Sequence, residues 1–531
     1  MGRPVLPPRR PQTGRCRCPD TGRPWPGPRT KADVDNAALV DPETDPIRIG
    51  PSLTTPPARL LVMQLHWHRR DLRVRDNVGL GRAAREGAAE VLPVFVFDDR
   101  LLRRASPPRV GALLDALRAL REEYRERGTD LVVRRGDPLD ELPRLVNERE
   151  VDRVHWNRDY SGTARRRDEA VREVLEDAAV DVETHQDALL HEPGAITTND
   201  GTHYAVYSYF WKKWREREKD DPVAPPAPDG LADPDGEPIP GLDELGFEPP
   251  EATVPDVTPE AAHDRLESFC SSDIYRYADR RDYPDDDATS RLSVHLKYGT
   301  IGIRTVYAAT AEAFAAAADD AARESVREYQ SQLAWREFYA HVLSANPEVV
   351  SENYKDYDHP IEWRSDPDAF EAWTAGETGY PIVDAGMRQL RREAWMHNRV
   401  RMIVASFLTK DLLIDWREGY DWFRERLADH DTANDNGGWQ WAASTGTDAQ
   451  PFFRIFNPMT QGERYDPEAE YIKEYVPELR DATAAEIHGW HELSDAERES
   501  IAPDYPAPIV DHAEARERAL ATFRAARGES E

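Results

Sequence analysis

VLPVFVFDD (Val91–Asp99) is an unbroken apolar run that ends on two carboxylates. It is too short for a buried helix and rich in β-branched and aromatic residues, which predicts a strand covered on both faces. The chain on either side follows the same logic. MQLHWH (Met63–His68) predicts an earlier strand, and residues 110–127 have helical periodicity. Then come a strand at 130–136, a helix at 138–150, a strand at 151–157, a helix at 164–179 and a strand at 180–186. Strands alternating with helices predict an α/β domain with a parallel, Rossmann-like sheet over residues 63–190. Gly79-x-Gly81-x-x-Ala84 loosely matches a dinucleotide loop, but no strand leads directly into it, so the match carries no weight.

Further outward the pattern changes. Residues 191–260 read as an interdomain linker, because Pro222 to Pro259 is rich in Pro, Asp and Gly and has no period. Beyond it the chain is helical: Ala311–Ser344 with a break near Arg323, Tyr380–Leu413, and Trp416–Leu427. An all-α domain over 261–520 is expected, with 521–531 as a tail. Residues 1–62 carry 13 Pro and no period. They read as a disordered tail, or as a misplaced gene start with Met63 the true first residue. Cys16-x-Cys18 in that stretch is too weak a pattern for a metal site, and no metal is expected.

Composition excludes several classes. No apolar run approaches the roughly 20 residues of a membrane span, so no membrane is expected as partner. Three Cys in 531 residues exclude a disulfide scaffold and point to a reducing, cytoplasmic location. The net charge of −31 argues against nucleic acid on average, although a groove can be basic on an acidic body. Only 8 of the 69 basic residues are Lys, and an acid-rich, Lys-poor surface suits a halophile.

Four features carry chemistry. Thr289-Ser290-Arg291-Leu292-Ser293, after Tyr277, offers hydroxyls and backbone N–H groups to a phosphate, though plain helix capping explains Thr and Ser equally well. Asp429-His430-Asp431 followed by DNGGWQW (Asp435–Trp441) pairs carboxylates with a Gly pair that allows close approach to a flat ligand. Trp363, Trp416 and Trp439 lie in three separate helical segments; each alone is ordinary core, and together they could pass an electron. Trp335-Arg336-Glu337-Phe338 and WMHNRVR (Trp395–Arg401) interleave aromatics with Arg, which suits base stacking and phosphate contact.

Taken together, HWHRRDLRVRDN, TSRLS, WREFY, TGYPIVDAGMRQL, WMHNRVRMIVASFLTKDLLIDW, NGGWQWAASTGTDAQPFFRIFNP and TQGERYDPEAEYI resemble the DNA photolyase/cryptochrome family, class I branch, from Met63 to the C-terminus. The resemblance implies an α/β antenna domain, a helical domain holding FAD, and light-driven repair of cyclobutane pyrimidine dimers in DNA by a monomer. It implies flavin contacts at Tyr277, Thr289, Ser290, Arg291, Leu292, Ser293, Gln332, Asn398, Arg401, Asp429, Asp431 and Asp435, with Arg401 and Asp429 as an ion pair. It implies an electron chain of Trp439, Trp416 and Trp363. DNA contacts fall at Trp335, Arg336, Asn398, Arg399, Met402 and Arg454, with Trp335 stacking on a flipped-out dimer.

Two positions depart from the repair pattern. Gln332 stands where dimer-repair enzymes usually place Glu, and Asp435 stands where they usually place Asn beside flavin N5. A carboxyl buried there could protonate the flavin on photoreduction, which suits the alternative reading, a cryptochrome-like blue-light receptor without repair activity. His397-Asn398 replaces the His pair of six-four enzymes. WNRDYSGTARRRD lacks the Asn-Glu pair of folate-binding relatives, so the expected second antenna chromophore is 8-hydroxy-5-deazaflavin in preference to methenyltetrahydrofolate.

Overall fold

A computed structural model describes residues 63–85, 90–232, 234 and 236–529. The expectations for residues 1–62, including Cys16 and Cys18, lie outside the described residues. Five parallel strands form one sheet: β1 (Met63–His68), β2 (Glu90–Asp98), β3 (Val132–Gly136), β4 (Arg153–Asn157) and β5 (Asp181–His185), in the order β3-β2-β1-β4-β5. In the register, Leu65 faces both Leu92 of β2 and Val154 of β4. β2 is buried from Val91 to Asp98 because helices cover both faces of the sheet, as its continuous apolar run required.

The helix expected at residue 110 begins at Pro107, after Ser106, where two prolines supply the fixed φ of a first turn. Gly79 and Gly81 sit on the short helix Val78–Ala83, capped by the Asn77 side chain. A Cβ at Gly79 would meet His66 and Asn157 at under 3 Å, so this glycine serves close packing.

The connection is more than a tether. It carries the helix Tyr207–Glu216, and the Ala232 N–H donates to the Val91 carbonyl at 2.9 Å, so part of it runs along the sheet. The helical region then runs from the Pro259–Ser271 helix to the His512–Ala526 helix. Its expected long helix is two, Ile303–Ala316 and Asp320–Ala345; the break lies ahead of Arg323, at Ala317–Asp319, because Asp319 caps the second helix. The 380–413 stretch breaks at Ala394, which has φ +50°, before Asn398–Ser406 and a π-helical turn at Phe407–Asp411. Residues 521–526, expected in a tail, belong to the last helix, and Phe523 is fully buried.

The helical core is rich in tryptophan: Trp373, Trp416, Trp439 and Trp490 share one cluster. Buried ion pairs join it to the α/β part. Arg304 reaches Asp76 at 2.7 Å and Asp187 at 2.6 Å, and Arg73 reaches Asp187 at 2.7 Å, all on side chains at most 5% exposed.

Candidate functional site

The helical region encloses a cavity of about 500 Å³. Tyr277, Thr289 to Ser293, Gln332, Trp335, Arg336, Asn398, Arg401, Met402, Asp429, Asp431, Asp435 and Trp439 all border it, although the sequence scatters them over more than 160 positions. Arg399, Arg454, Trp416 and Trp363 are not on its wall.

Arg401 is fixed from three sides. Its Nη2 donates to both Asp429 oxygens at 3.0 and 2.8 Å, its Nε donates to the Met396 carbonyl at 2.9 Å, and its Nη1 lies 3.6 Å from Asp435. Burial opposes its charge, yet Asp429 and Asp435 hold the guanidinium above its ordinary pKa. Asp435 borders the cavity with one oxygen turned away, which accepts from His430 Nδ1 at 2.7 Å and from the Asp431 N–H at 3.2 Å. Burial holds His430 below its ordinary value, against the opposing pull of Asp435. Sequence reasoning quoted His430 but gave it no role.

Asp431 borders the cavity and is also held by the fold. One oxygen caps the Thr432–Ala443 helix, accepting from the N–H groups of Ala433 and Asn434, and the other accepts from Arg70 at 2.7 Å. Burial would raise its pKa, but Arg70, Lys297 and Arg336 outweigh that and hold the carboxyl far below the usual range. Its oxygens thus serve the fold from the edge of the cavity.

The Thr289–Ser293 turn is bent at Arg291, which has φ +49°. Ser290 Oγ accepts from the Tyr329 hydroxyl at 2.9 Å, and Ser293 Oγ from the Trp395 indole at 3.3 Å. Each serine oxygen thus has an incoming donor while its own proton stays free for an acceptor. Two buried nitrogens on the cavity wall, His397 Nε2 and Trp439 Nε1, have no partner among the described residues. Such donors suit a ligand rich in phosphate and carbonyl oxygens.

Trp439 is 2% exposed and Trp416 is fully buried, while Trp363 is half-buried. The Trp439 ring lies so close to Gly419 that a Cβ there would fall 2.1 Å from it; Gly419 is one turn along the helix that begins at Trp416. Trp363 packs on the same core and meets Phe523 of the last helix at 5.9 Å. Trp373, which the sequence did not single out, sits 6.1 Å from Trp439.

On the outer side, Trp335 is stacked on Tyr207, with ring centroids 3.6 Å apart and planes within 10°. Gln332 donates to Glu328 at 3.1 Å. Asn398 is exposed, 3.8 Å from Met402 Sδ. Arg399 is committed to Asp282 at 2.8 Å and lies over the Tyr465 ring. Arg336, expected to face DNA, borders the cavity and donates to the Ala188 carbonyl at 2.9 Å. Arg454 is exposed in the loop beyond the cavity.

A second cleft opens where the strand order reverses, between β1 and β4, the position at which open parallel sheets bind ligands. The segments after these strands, Arg69–Asp71 and Asn157–Ser161, line it, with Asp431–Asn434 of the helical region opposite. Arg69 Nε, Arg158 Nε and the Tyr160 hydroxyl are buried on its residues without a partner.

Comparisons with known proteins fit this geometry. Residues 64–229 match the family model described as DNA photolyase, and residues 329–525 match the FAD binding domain of DNA photolyase. A deoxyribodipyrimidine photo-lyase of Halobacterium salinarum is 62% identical over 480 residues, covering 88% of this chain and all of the relative. One from Synechococcus is 41% identical, covering 84% and 93%. A bacterial class III photolyase from Agrobacterium tumefaciens superposes with a TM-score of 0.81 at 36% identity, covering 90% of this chain and all of that one. An archaeal photolyase from Sulfolobus tokodaii, solved with two FAD molecules, gives 0.76 at 33% identity, covering 87% and 100%.

Proposed function

Because the chain belongs to the DNA photolyase/cryptochrome family, we propose that it repairs cyclobutane pyrimidine dimers in DNA under blue light. The observation that carries this reading is the convergence of Tyr277, Ser290, Ser293, Arg401, Asp429 and Trp439 on one cavity that holds unpartnered donors. FAD bound there in its reduced form supplies the light absorption and the electron that opens the dimer's ring.

The protein's own groups do the rest. The Ser290 and Ser293 hydroxyls would donate to the phosphates of FAD. The Arg401–Asp429 pair keeps a fixed positive charge beside the ring system, and Asp435, held by His430, presents a carboxyl oxygen to the same space. Trp439, Trp416 and Trp363 run from the cavity outward and support reduction of the cofactor. Trp335 offers a flat ring at the cavity wall to an extruded base, and extrusion is least costly for a damaged one.

We assign the second cleft to an antenna chromophore. Its three unpartnered donors favour 8-hydroxy-5-deazaflavin, an anionic ring rich in carbonyls, over methenyltetrahydrofolate. We place the enzyme in the cytoplasm as a monomer. Among the described residues, no helix is long and apolar enough to cross a membrane.

A second reading, a cryptochrome-like receptor without repair, draws on Gln332 and on the hydrogen-bonded carboxyl of Asp435. The test is repair itself: the protein purified in high salt, its flavin reduced, is illuminated with an oligonucleotide carrying one thymine dimer. Light-dependent return of thymine absorbance supports the enzyme. No return, from protein with bound and photoreducible flavin, rejects it for the receptor.

A further inference from the structure

Trp335 is the ring on which a flipped base would stack; its own helix touches it only at an angle, through Phe338 and Tyr339 at 5.5 Å. The residue stacked on it comes from the connecting segment between the two domains. Tyr207 lies face to face with Trp335 at 3.6 Å and 10°, and does not itself border the cavity. Trp335 does border it. The tyrosine therefore backs the indole from behind. Edge contacts with Phe338 at 5.5 Å complete the packing.

Tyr207 is itself anchored at both ends. Its hydroxyl donates to the Ser331 carbonyl at 2.6 Å and lies 2.8 Å from Ser331 Oγ, one turn before Trp335 on the Asp320–Ala345 helix. Its backbone N–H donates to Asp448 Oδ2 at 3.1 Å, in the loop that follows the Trp439 helix. The ring is 8% exposed and pinned along its long axis, so it has no freedom to tilt. Three segments distant in sequence thus meet in one aromatic pair.

We propose that Tyr207 is a positioning residue for damaged-base recognition: it holds Trp335 at the tilt that discriminates a flipped dimer from undamaged DNA. The inference rests on the reading of Trp335 as the substrate-side ring. Aromatic pairs are worth more than their buried area alone, and their geometry is specific. A Trp335 ring free to rock would stack less well on an incoming base, while phosphate contacts, which carry most of the non-specific affinity, would be untouched.

The experiment measures binding of the flavin-loaded full chain, in the dark and at fixed salt, to a duplex with one thymine dimer and to the undamaged duplex. Tyr207→Met fills the space without a flat face. It is expected to weaken binding to the dimer duplex about tenfold while leaving the undamaged duplex within about twofold. Tyr207→Phe keeps the ring and should stay within about twofold on both. In a Trp335→Ala background, Tyr207→Met should have no further effect on discrimination, because its role passes through that ring.

Wild-type discrimination in Tyr207→Met, or a loss that adds in full to that of Trp335→Ala, overturns the proposal. If Trp335→Ala itself leaves dimer binding unchanged, the reading of the substrate side falls and the proposal with it. If Trp335→Ala weakens binding and Tyr207→Met does not, only the proposal falls. Should Tyr207→Met not fold, Tyr207→Leu faces the same criteria.

Discussion

Replacing Asp429 by Asn tests whether the ion pair at the heart of the cavity is as buried and as isolated from salt as the structure makes it. The Asp429 side chain is 1% exposed and that of Arg401 18%, with two hydrogen bonds of 2.8 and 3.0 Å between them. At a charge separation of about 4 Å and an effective dielectric of about 20, the attraction is about 4 kcal/mol. Asn keeps one oxygen acceptor, worth about 1 kcal/mol. Asp435, 3.6 Å from the same guanidinium, keeps part of the field. The expected loss of unfolding free energy is therefore about 2–3 kcal/mol, measured by urea denaturation and accompanied by weaker flavin retention. Exposed ion pairs are screened within about 3 Å at 1 M salt, whereas this one is walled off, so the loss should be the same at about 0.5 M and about 3 M KCl. Asp115→Asn, which breaks an exposed pair with Arg118, provides the contrast and should change nothing measurable at either salt. A loss under about 1 kcal/mol for Asp429→Asn, or one that disappears at the higher salt, would refute the argument.

Three further perturbations address other parts of the molecule. Trp416→Phe removes the fully buried middle ring and its hydrogen bond to Asn353; flavin should still bind, with stability lowered by about 1–3 kcal/mol, while the rate of flavin photoreduction falls more than about tenfold. An unchanged photoreduction rate would exclude this ring from the route. Asp435→Asn takes away the carboxyl that His430 holds, and should change the protonation of the photoreduced flavin; an identical visible absorption spectrum after illumination rejects that. Lys410 is fully buried, donating to the Ala443 carbonyl at 3.1 Å and to Ser444 Oγ at 2.9 Å, and burial holds its pKa well below the ordinary value. Between that depressed value and the unfolded one the unfolded chain binds a proton that the folded chain does not, so stability falls as pH is lowered through this window, by about 1.4 kcal/mol per unit. Lys410→Met should flatten the decline between about pH 10 and 8, and equal slopes for the two proteins would contradict the burial.

The sheet was legible because its strands are covered on both faces and read as apolar runs; β2 was placed within one residue of its observed ends. The start at Pro107 was also written in the chain, as Ser106 followed by two prolines, and outweighs the later apolar period. The π-helical turn at Phe407–Asp411 had no local signal, since it depends on the left-handed Leu413 and on packing beneath the last helix. Most of the cavity wall came from the resemblance rather than from spacing. Arg336 borders the same cavity as its neighbour Trp335, and its bond to the Ala188 carbonyl had no local signal. Asp431 carries the pattern of a helix cap. Tyr207, His430 and Trp373 were not legible, because each acts through a ring or carboxyl brought to it only by the tertiary fold.

The Asp76–Arg304–Asp187–Arg73 cluster has a consequence for how a substrate would be admitted. Four charges at most 5% exposed are satisfied by one another, by nearby backbone and, at Asp76, by the Thr305 hydroxyl across the seam between the α/β and helical parts. A hinge at that seam would strip partners from buried charges, at several kcal/mol for each one left unpaired. With that hinge disfavoured, a base taken in as proposed would enter a prebuilt opening, and the bending and unstacking would fall on the DNA. Selectivity would then begin outside the protein, in how readily a lesion lets its own helix yield.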